Sequence, residues 1–238
     1  MSPVFITGTV YKTITTEFER TLTMNVHQKS TLTLSGRLAI YSIGLIILAL
    51  GITLNTKTGL GVSPIISIPY NISQIWHLNL GTMTFIFYTI LVMIQILLLR
   101  KDFKIYQLLQ IVMSLVTSFF IDIFDRMIPA VTPAFGRILI LFLAIILTGI
   151  GAALTVGMEI IPNPADGLAN VIGQKLNKGF GLGKNIFDFS CLVLSVIISL
   201  CFAGHIIGIG IGTILSMIFT GRVVAFSGQW IRKFSHFK

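Results

Sequence analysis

Gly51, Leu54 and Pro64 recur in the same order as Gly151, Leu154 and Pro164, so the chain reads as one membrane unit written twice, about 100 residues apart. With a two-residue slip, Leu80-Gly81-x3-Phe85-x-Phe87 returns as Leu182-Gly183-x3-Phe187-x-Phe189, and Ser114 then falls on Ser216. Gly, Leu and Phe are common in membrane helices; the shared order and nearly constant offset carry the argument. A unit with an odd number of spans must re-enter the bilayer from the opposite side on its second pass, which is the inverted-repeat architecture of many secondary transporters. The expected fold is therefore all-α and transmembrane. It is a six-span helical bundle built from two inverted three-helix repeats, each with a short re-entrant or interfacial helix after its first span.

Six apolar stretches are long enough to cross about 30 Å of hydrocarbon. They cover residues 38–54, 82–99, 105–124, 138–156, 186–203 and 206–224, with Gly204-His205 read as a tight hairpin between the last two. The 54% hydrophobic and 11% charged composition, with a mean hydropathy of +0.92, leaves no room for a large soluble domain. The domain reading is a disordered cytoplasmic tail over 1–36, a first repeat over 37–130, a second over 131–229 and a basic tail over 230–238. The first 30 residues are Thr-rich and polar without apolar period, unlike a cleavable signal peptide, and Met24 is an alternative start.

Charge selects six spans over five. In a six-span chain one side holds Lys12, Arg20, Lys29, Arg37, Arg100, Lys101, Lys104, Lys175, Lys178, Lys184, Arg222, Arg232, Lys233 and Lys238. Of the 17 basic residues, only Lys57, Arg126 and Arg137 remain for the other side. The positive-inside rule then places both termini in the cytoplasm. The net charge of +9 needs no nucleic acid to explain it; topology and anionic lipid headgroups suffice. Cys191 and Cys201 lie ten positions apart on one helix, about 15 Å, too far to pair, and no metal-ligand spacing is present.

Two connections, residues 58–80 and 158–180, are too apolar for ordinary loops and too interrupted for full spans. Each contains a capping residue directly before a proline: Ser63-Pro64 and Asn163-Pro164. That pair is a helix-start signal, and it predicts short helices over 64–76 and 164–176. At about 20 Å each, they either enter the bilayer as half-helices with their positive dipole ends toward its middle, or lie at the interface.

Ionisable groups in or beside spans are functional candidates because hydrocarbon penalises them. Asp122, Asp125, Glu159, Asp166 and Asp188 qualify. Asp166 stands at the third helical position after Asn163, where it either caps the helix or faces a cavity as a proton or cation ligand. Asp122 and Asp125 neighbour Arg126, so an interfacial ion pair is expected there. Gln107 and Gln110 share a face and can bond a neighbouring helix or a substrate. Gly208 and Gly212 have the Gly-x-x-x-Gly spacing that permits close helix approach. No HExxH, GxSxG or Cys/His constellation supports an enzyme, and no cofactor or metal is expected.

Several strings resemble the YczE/YyaS/YitT-like group of bacterial integral membrane proteins, above all its YczE-like branch. They are Gly59-Leu-Gly-Val-Ser-Pro64, Pro164-Ala-Asp-Gly167 with Leu168, Gly181-Leu-Gly183, and Gly210-Ile-Gly-Thr213 running on to Gly221. The likeness covers roughly residues 37–229. It implies a five- or six-span fold in a bacterial plasma membrane and no assigned activity. In that group an aromatic usually follows the second proline; here Ala165 stands in its place while Asp166 is kept. The functional expectation is a small secondary transporter with a site for a small molecule or ion between the repeats, lined by Ser63, Asn163, Asp166 and Gln110, with Asp122 a further candidate. The alternative is a non-transporting assembly or regulatory partner. A homodimer in the lipid bilayer is expected.

Overall fold

The computed structural model describes residues 33–235. Most of the tail expected over 1–36, Met24 included, and residues 236–238 of the expected basic tail lie outside the described residues. Among the described residues, eight α-helices follow one another: α1 (Leu34–Lys57), α2 (Pro64–Trp76), α3 (Leu80–Leu99), α4 (Leu109–Met127), α5 (Ala134–Gly157), α6 (Pro164–Lys175), α7 (Phe180–Ala203) and α8 (Ile211–Ser235). Two short 3-10 turns, Arg100–Asp102 and Ile105–Leu108, join α3 to α4. Six helical segments among the described residues are long and apolar enough to cross a membrane: Leu34–Lys57, Leu80–Asp102, Ile105–Met127, Ala134–Gly157, Phe180–Ala203 and Ile211–Ile231.

Most of these helices outrun the apolar stretches that announce them, because hydropathy marks the part that lipid covers while the backbone ladder continues into the interface. At the start of α1, the Thr33 hydroxyl accepts the Gly36 N–H at 3.3 Å, using one of the donors a helix leaves free at its first turn. The last span departs from expectation. It begins at Ile211, and residues 204–210 form an irregular connector in place of a tight hairpin. Gly204 (φ 74°) and Gly208 (φ 70°) adopt the left-handed conformation that ends α7 and delays α8.

The centre of the bundle is the crossing of α1 and α5. A Cβ on Gly51 would stand 2.5 Å from the Thr148 nitrogen and 3.0 Å from the Ala144 oxygen; a Cβ on Gly151 would stand 2.5 Å from the Leu48 nitrogen and 2.8 Å from the Gly44 oxygen. Both sites therefore require glycine. Early positions of one helix meet late positions of the other, so α1 and α5 run antiparallel. Around them α4 packs on α1 and α3, and α8 on α5. In lipid, burying an apolar side chain gives little hydrophobic gain over leaving it among acyl chains, so close backbone approach and dispersion hold such a crossing.

The two short helices both lie between α3 and α7. Helix α2 lies along α7, with Asn71 beside Ser195 and Ser199, and Trp76 beside Phe202 with ring centroids 5.1 Å apart. Helix α6 sits between α3 and α7. It runs against α7: Asp166 meets Lys184, whereas Gly173 lies near Gly183. The first residues of α2 and α6 thus point to the middle of the long helices, while their last residues reach opposite ends of the bundle. One apolar core joins them through Leu48, Ile52, Ile66, Leu91, Leu168 and Phe187.

The offset of 100 holds through most of this framework. α1 and α5 start at 34 and 134, α2 and α6 at 64 and 164, α3 and α7 at 80 and 180. Left-handed backbone recurs at Gly59 and Glu159 and at His77 and Asn177. The two-residue slip enters later than the Leu80/Leu182 match suggests: α4 and α8 start at 109 and 211. Gly81 and Gly183 also do different work, the first packing on Ser118 and Asp122 of α4, the second on Ala169 and Gly173 of α6.

Candidate functional site

The start of α6 assembles the polar groups. Pro164 fixes the first turn, and the Asn163 side chain caps it by accepting the Ala165 N–H at 3.0 Å. This leaves Asp166 in the first turn, where the positive end of the helix favours a carboxylate. The Lys184 ammonium, on the first turns of α7, lies 3.5 Å from Asp166 Oδ1 and 3.7 Å from Asp188 Oδ1. Both distances exceed the 2.7–2.9 Å range of a tight charged hydrogen bond. One ammonium is therefore shared loosely between two carboxylates, and Asp188 Oδ1 has no hydrogen-bond partner although its side chain is only 9% exposed.

Other side chains close this cluster on the core side. Tyr88 is buried in the middle of α3, close to Asn163 and Asp166. Cys191, also buried, stands one turn beyond Asp188 on α7. On the other flank Gln95 of α3 donates to the Pro164 carbonyl at 3.0 Å and exchanges amide hydrogen bonds of 3.1 Å and 3.4 Å with Gln110 of α4. Gly167 gives this pair its room, since a Cβ there would stand 2.8 Å from Gln95 Oε1. Interhelical bonds of this kind contribute roughly 0.6 kcal/mol each in membranes. The cluster can exchange a proton or admit a cation, carrying one surplus negative charge when all three groups are ionised. Among the described residues, no group of three or more His, Cys, Asp and Glu side chains is disposed to hold a metal ion.

Of the residues expected from sequence, Asn163 and Asp166 belong to this cluster and Gln110 borders it. Ser63 stands at the start of α2, half-buried, its hydroxyl making no capping bond. Asp122 lies elsewhere. It accepts the Gly81 N–H at 2.6 Å and the Thr82 hydroxyl at 3.3 Å, so it serves the first turn of α3. The ion pair expected near Arg126 forms instead between Asp125 and Lys57, at 2.8 Å, and joins the ends of α4 and α1. Gln107 accepts the Lys104 N–H at 3.0 Å in the α3–α4 connection and does not share the buried role of Gln110. Glu159 is exposed.

Gly208 and Gly212 need a correction as a helix-packing pair. Gly208 lies in the connector before α8, so the two do not share a helix face. They pack with the connection after α1: the Val62 N–H donates to the Gly208 carbonyl and the Gly212 N–H to the Leu60 carbonyl, both at 2.8 Å. The two glycines serve contact of the connector and the first turn of α8 with the connection after α1. Beside this junction a pocket of about 210 Å³ is lined by residues of 56–62, Tyr70 and residues of 206–210.

Sequence reasoning passed over Lys184, Tyr88 and Gln95. Lys184 was counted as a topology charge, although its i,i+4 spacing to Asp188 was a legible signal. Gln95 was visible as an amide inside an apolar run. Tyr88 gave no signal, because its neighbours come from another part of the chain.

The fold and the cluster together define a six-span α-helical membrane protein with a charged site at the start of an internal short helix. Residues 35–229 match a family of unknown function, DUF6198, and the chain belongs to that family. It is 32% identical over 194 residues to the uncharacterized membrane protein YczE of Bacillus subtilis, covering 80% of this chain and 85% of that one. It is 26% identical to the uncharacterized protein YyaS of the same organism, over 77% of this chain and 88% of the relative. An uncharacterized protein of Haemophilus influenzae is 25% identical over 84% of this chain and 86% of its own length. No solved structure matches. The resemblance drawn from the glycine- and proline-bearing strings is borne out, and these strings now have physical meanings: the first and last pack on each other, and the second starts α6.

Proposed function

We propose that the protein is a small secondary transporter. Its two halves are inverted repeats, α2 and α6 are re-entrant half-helices, and the cluster of Asp166, Lys184 and Asp188 with Asn163 takes a coupling proton or cation beside a small-molecule site. The observation that carries this reading is the reciprocity of the α1–α5 crossing, where Gly51 meets residue 148 and Gly151 meets residue 48. Antiparallel contacts that map onto themselves after a shift of 100 are what a two-fold axis lying in the membrane plane produces. The charge count supports cytoplasmic termini, which puts the end of α6 toward the cytoplasm and the end of α2 toward the outside. Hydrocarbon penalises the three charges, and nothing in the α1–α5 packing requires them.

The test is flux in proteoliposomes, with wild type compared with Asp166→Asn. Electrogenic or proton-coupled uptake that Asp166→Asn abolishes would support the reading; folded protein with no coupled flux for any substrate pool would remove it.

A second reading, a non-transporting assembly or regulatory partner, draws on Gly221 and Gly228 of α8. A Cβ at either would meet nothing within 4 Å, leaving a small-residue strip to which another membrane helix can close. Recovery of a stoichiometric partner by crosslinking, together with a silent Asp166→Asn in cells, would favour it.

A further inference from the structure

Each half of the chain holds the connection of the other through an arginine, and the two contacts obey the same offset of 100. Arg37, in the first turn of α1, donates from Nε to the Met158 carbonyl at 2.9 Å; its Nη2 also bonds the Met158 carbonyl and reaches the Glu159 carbonyl at 3.2 Å. Arg137, in the first turn of α5, donates from Nε to the Thr58 carbonyl, and its guanidinium lies against Gly59. Residues 58–63 lead into α2 and residues 158–163 into α6. The two clasps therefore sit at opposite ends of the bundle, each on the strand of backbone that carries a short helix to its starting point.

The clasps are unequal. On the Arg37 side the buried Tyr41 hydroxyl adds a bond to the Ile161 carbonyl at 3.1 Å, whereas the matching position on the Arg137 side is Leu141, which can give none. Side chains thus fix three carbonyls of the Arg37-side connection, at 158, 159 and 161, and one of the Arg137-side connection, at 58, where the Gly212 N–H also holds the Leu60 carbonyl. The pocket of about 210 Å³ lies against the connection that Arg137 holds.

We propose that Arg37 and Arg137 are the two gates of alternating access, and that this conformation has the Arg37 gate shut and the Arg137 side closer to opening. The proposal rests on the transporter reading above, but its assay needs no substrate. Release of either clasp frees the connection on that side and lets water reach the start of the short helix it carries. Alternating access requires that the two gates are not open together.

The reporter is Cys191, 2% exposed and one turn from Asp188, in a Cys201→Ser background. Full-length protein in right-side-out and inside-out vesicles is treated with a membrane-impermeant cationic methanethiosulfonate. Wild type is expected to react slowly, and faster from the face that carries Arg137. Arg37→Ala is expected to raise reaction from the face that carries Arg37 roughly tenfold, as loss of charge-assisted bonds would, and to lower it from the other. Arg137→Ala is expected to do the reverse. Equal change from both faces, or no change in folded protein, overturns the proposal. If an arginine variant fails to fold, Tyr41→Phe and Gly59→Ala loosen the same clasps with both arginines in place, and the same sidedness is required of them. Switching of Cys191 without flux in the wild type would remove the transporter reading and leave the gates standing.

Discussion

Lys184 is held where neither neighbour bonds it tightly, and that decides what substitutions there will do. Its removal leaves Asp166 and Asp188 facing each other across the start of α6 with no cation between them. For a fully buried pair, loss of one partner costs about 3–5 kcal/mol. With 30% of Lys184 and 26% of Asp166 exposed, the expectation falls to about 1–2 kcal/mol. Lys184→Met should therefore lower the melting temperature in detergent, and Lys184→Met with Asp188→Asn should recover most of the loss, because the second change removes one of the two facing charges and with it their repulsion. If the double variant melts lower than the single, the cluster is not held by charge balance. Gln95 makes a separate case: Gln95→Leu strands both the Gln110 amide and the Pro164 carbonyl, so it should destabilise more than Gln110→Leu, which leaves the bond to Pro164 intact. Thermal melts of the two single variants decide it.

The elements differ in how they depend on their surroundings, and this explains what could be read ahead of the fold. Helices α2 and α6 were placed within one residue from Ser63-Pro64 and Asn163-Pro164, since the residue before a proline and the fixed proline φ act locally. The start of α8 was misplaced by five residues, because Gly208 and Gly210 adopt their conformation to fit the connection after α1, a contact between distant parts of the chain. Asn163 and Asp166 were legible in the site for the same local reason. Lys184 was assigned by charge count alone, and Asp122 by type; what each touches is decided by the packing of α7 on α6 and of α4 on α3. The α1–α5 crossing gives the sharpest test at this scale. Gly51→Val and Gly151→Val should each abolish monodisperse protein on size-exclusion chromatography, whereas Gly221→Val, with open space at its Cβ, should elute as wild type. Equal tolerance of all three would mean that the crossing does not hold the bundle together.

At the scale of the whole molecule, the question is whether the starts of α2 and α6 open onto one water-filled space. Both are half-buried at Ser63 and Asn163 and joined by one apolar core, yet their helices end at opposite ends of the bundle. A helix that enters the bilayer and returns must expose its first residues to water only from within a cavity, because unpaired backbone donors are too costly against lipid. A helix lying on the interface shows a different pattern, labelled along one exposed face and from its own side alone. Cysteine scanning of 58–80 and 158–180 in a background without Cys191 and Cys201 separates the two. The expected outcome is that Ser63→Cys and Asn163→Cys react with small hydrophilic reagents while their flanking apolar positions do not, and that both are reached faster from the side of the Arg137 clasp than from the other. Reaction of each segment only from its own surface, with a helical stripe of labelled positions, would leave two interfacial helices and no shared cavity, and the charged cluster would then serve to anchor α6 to α7.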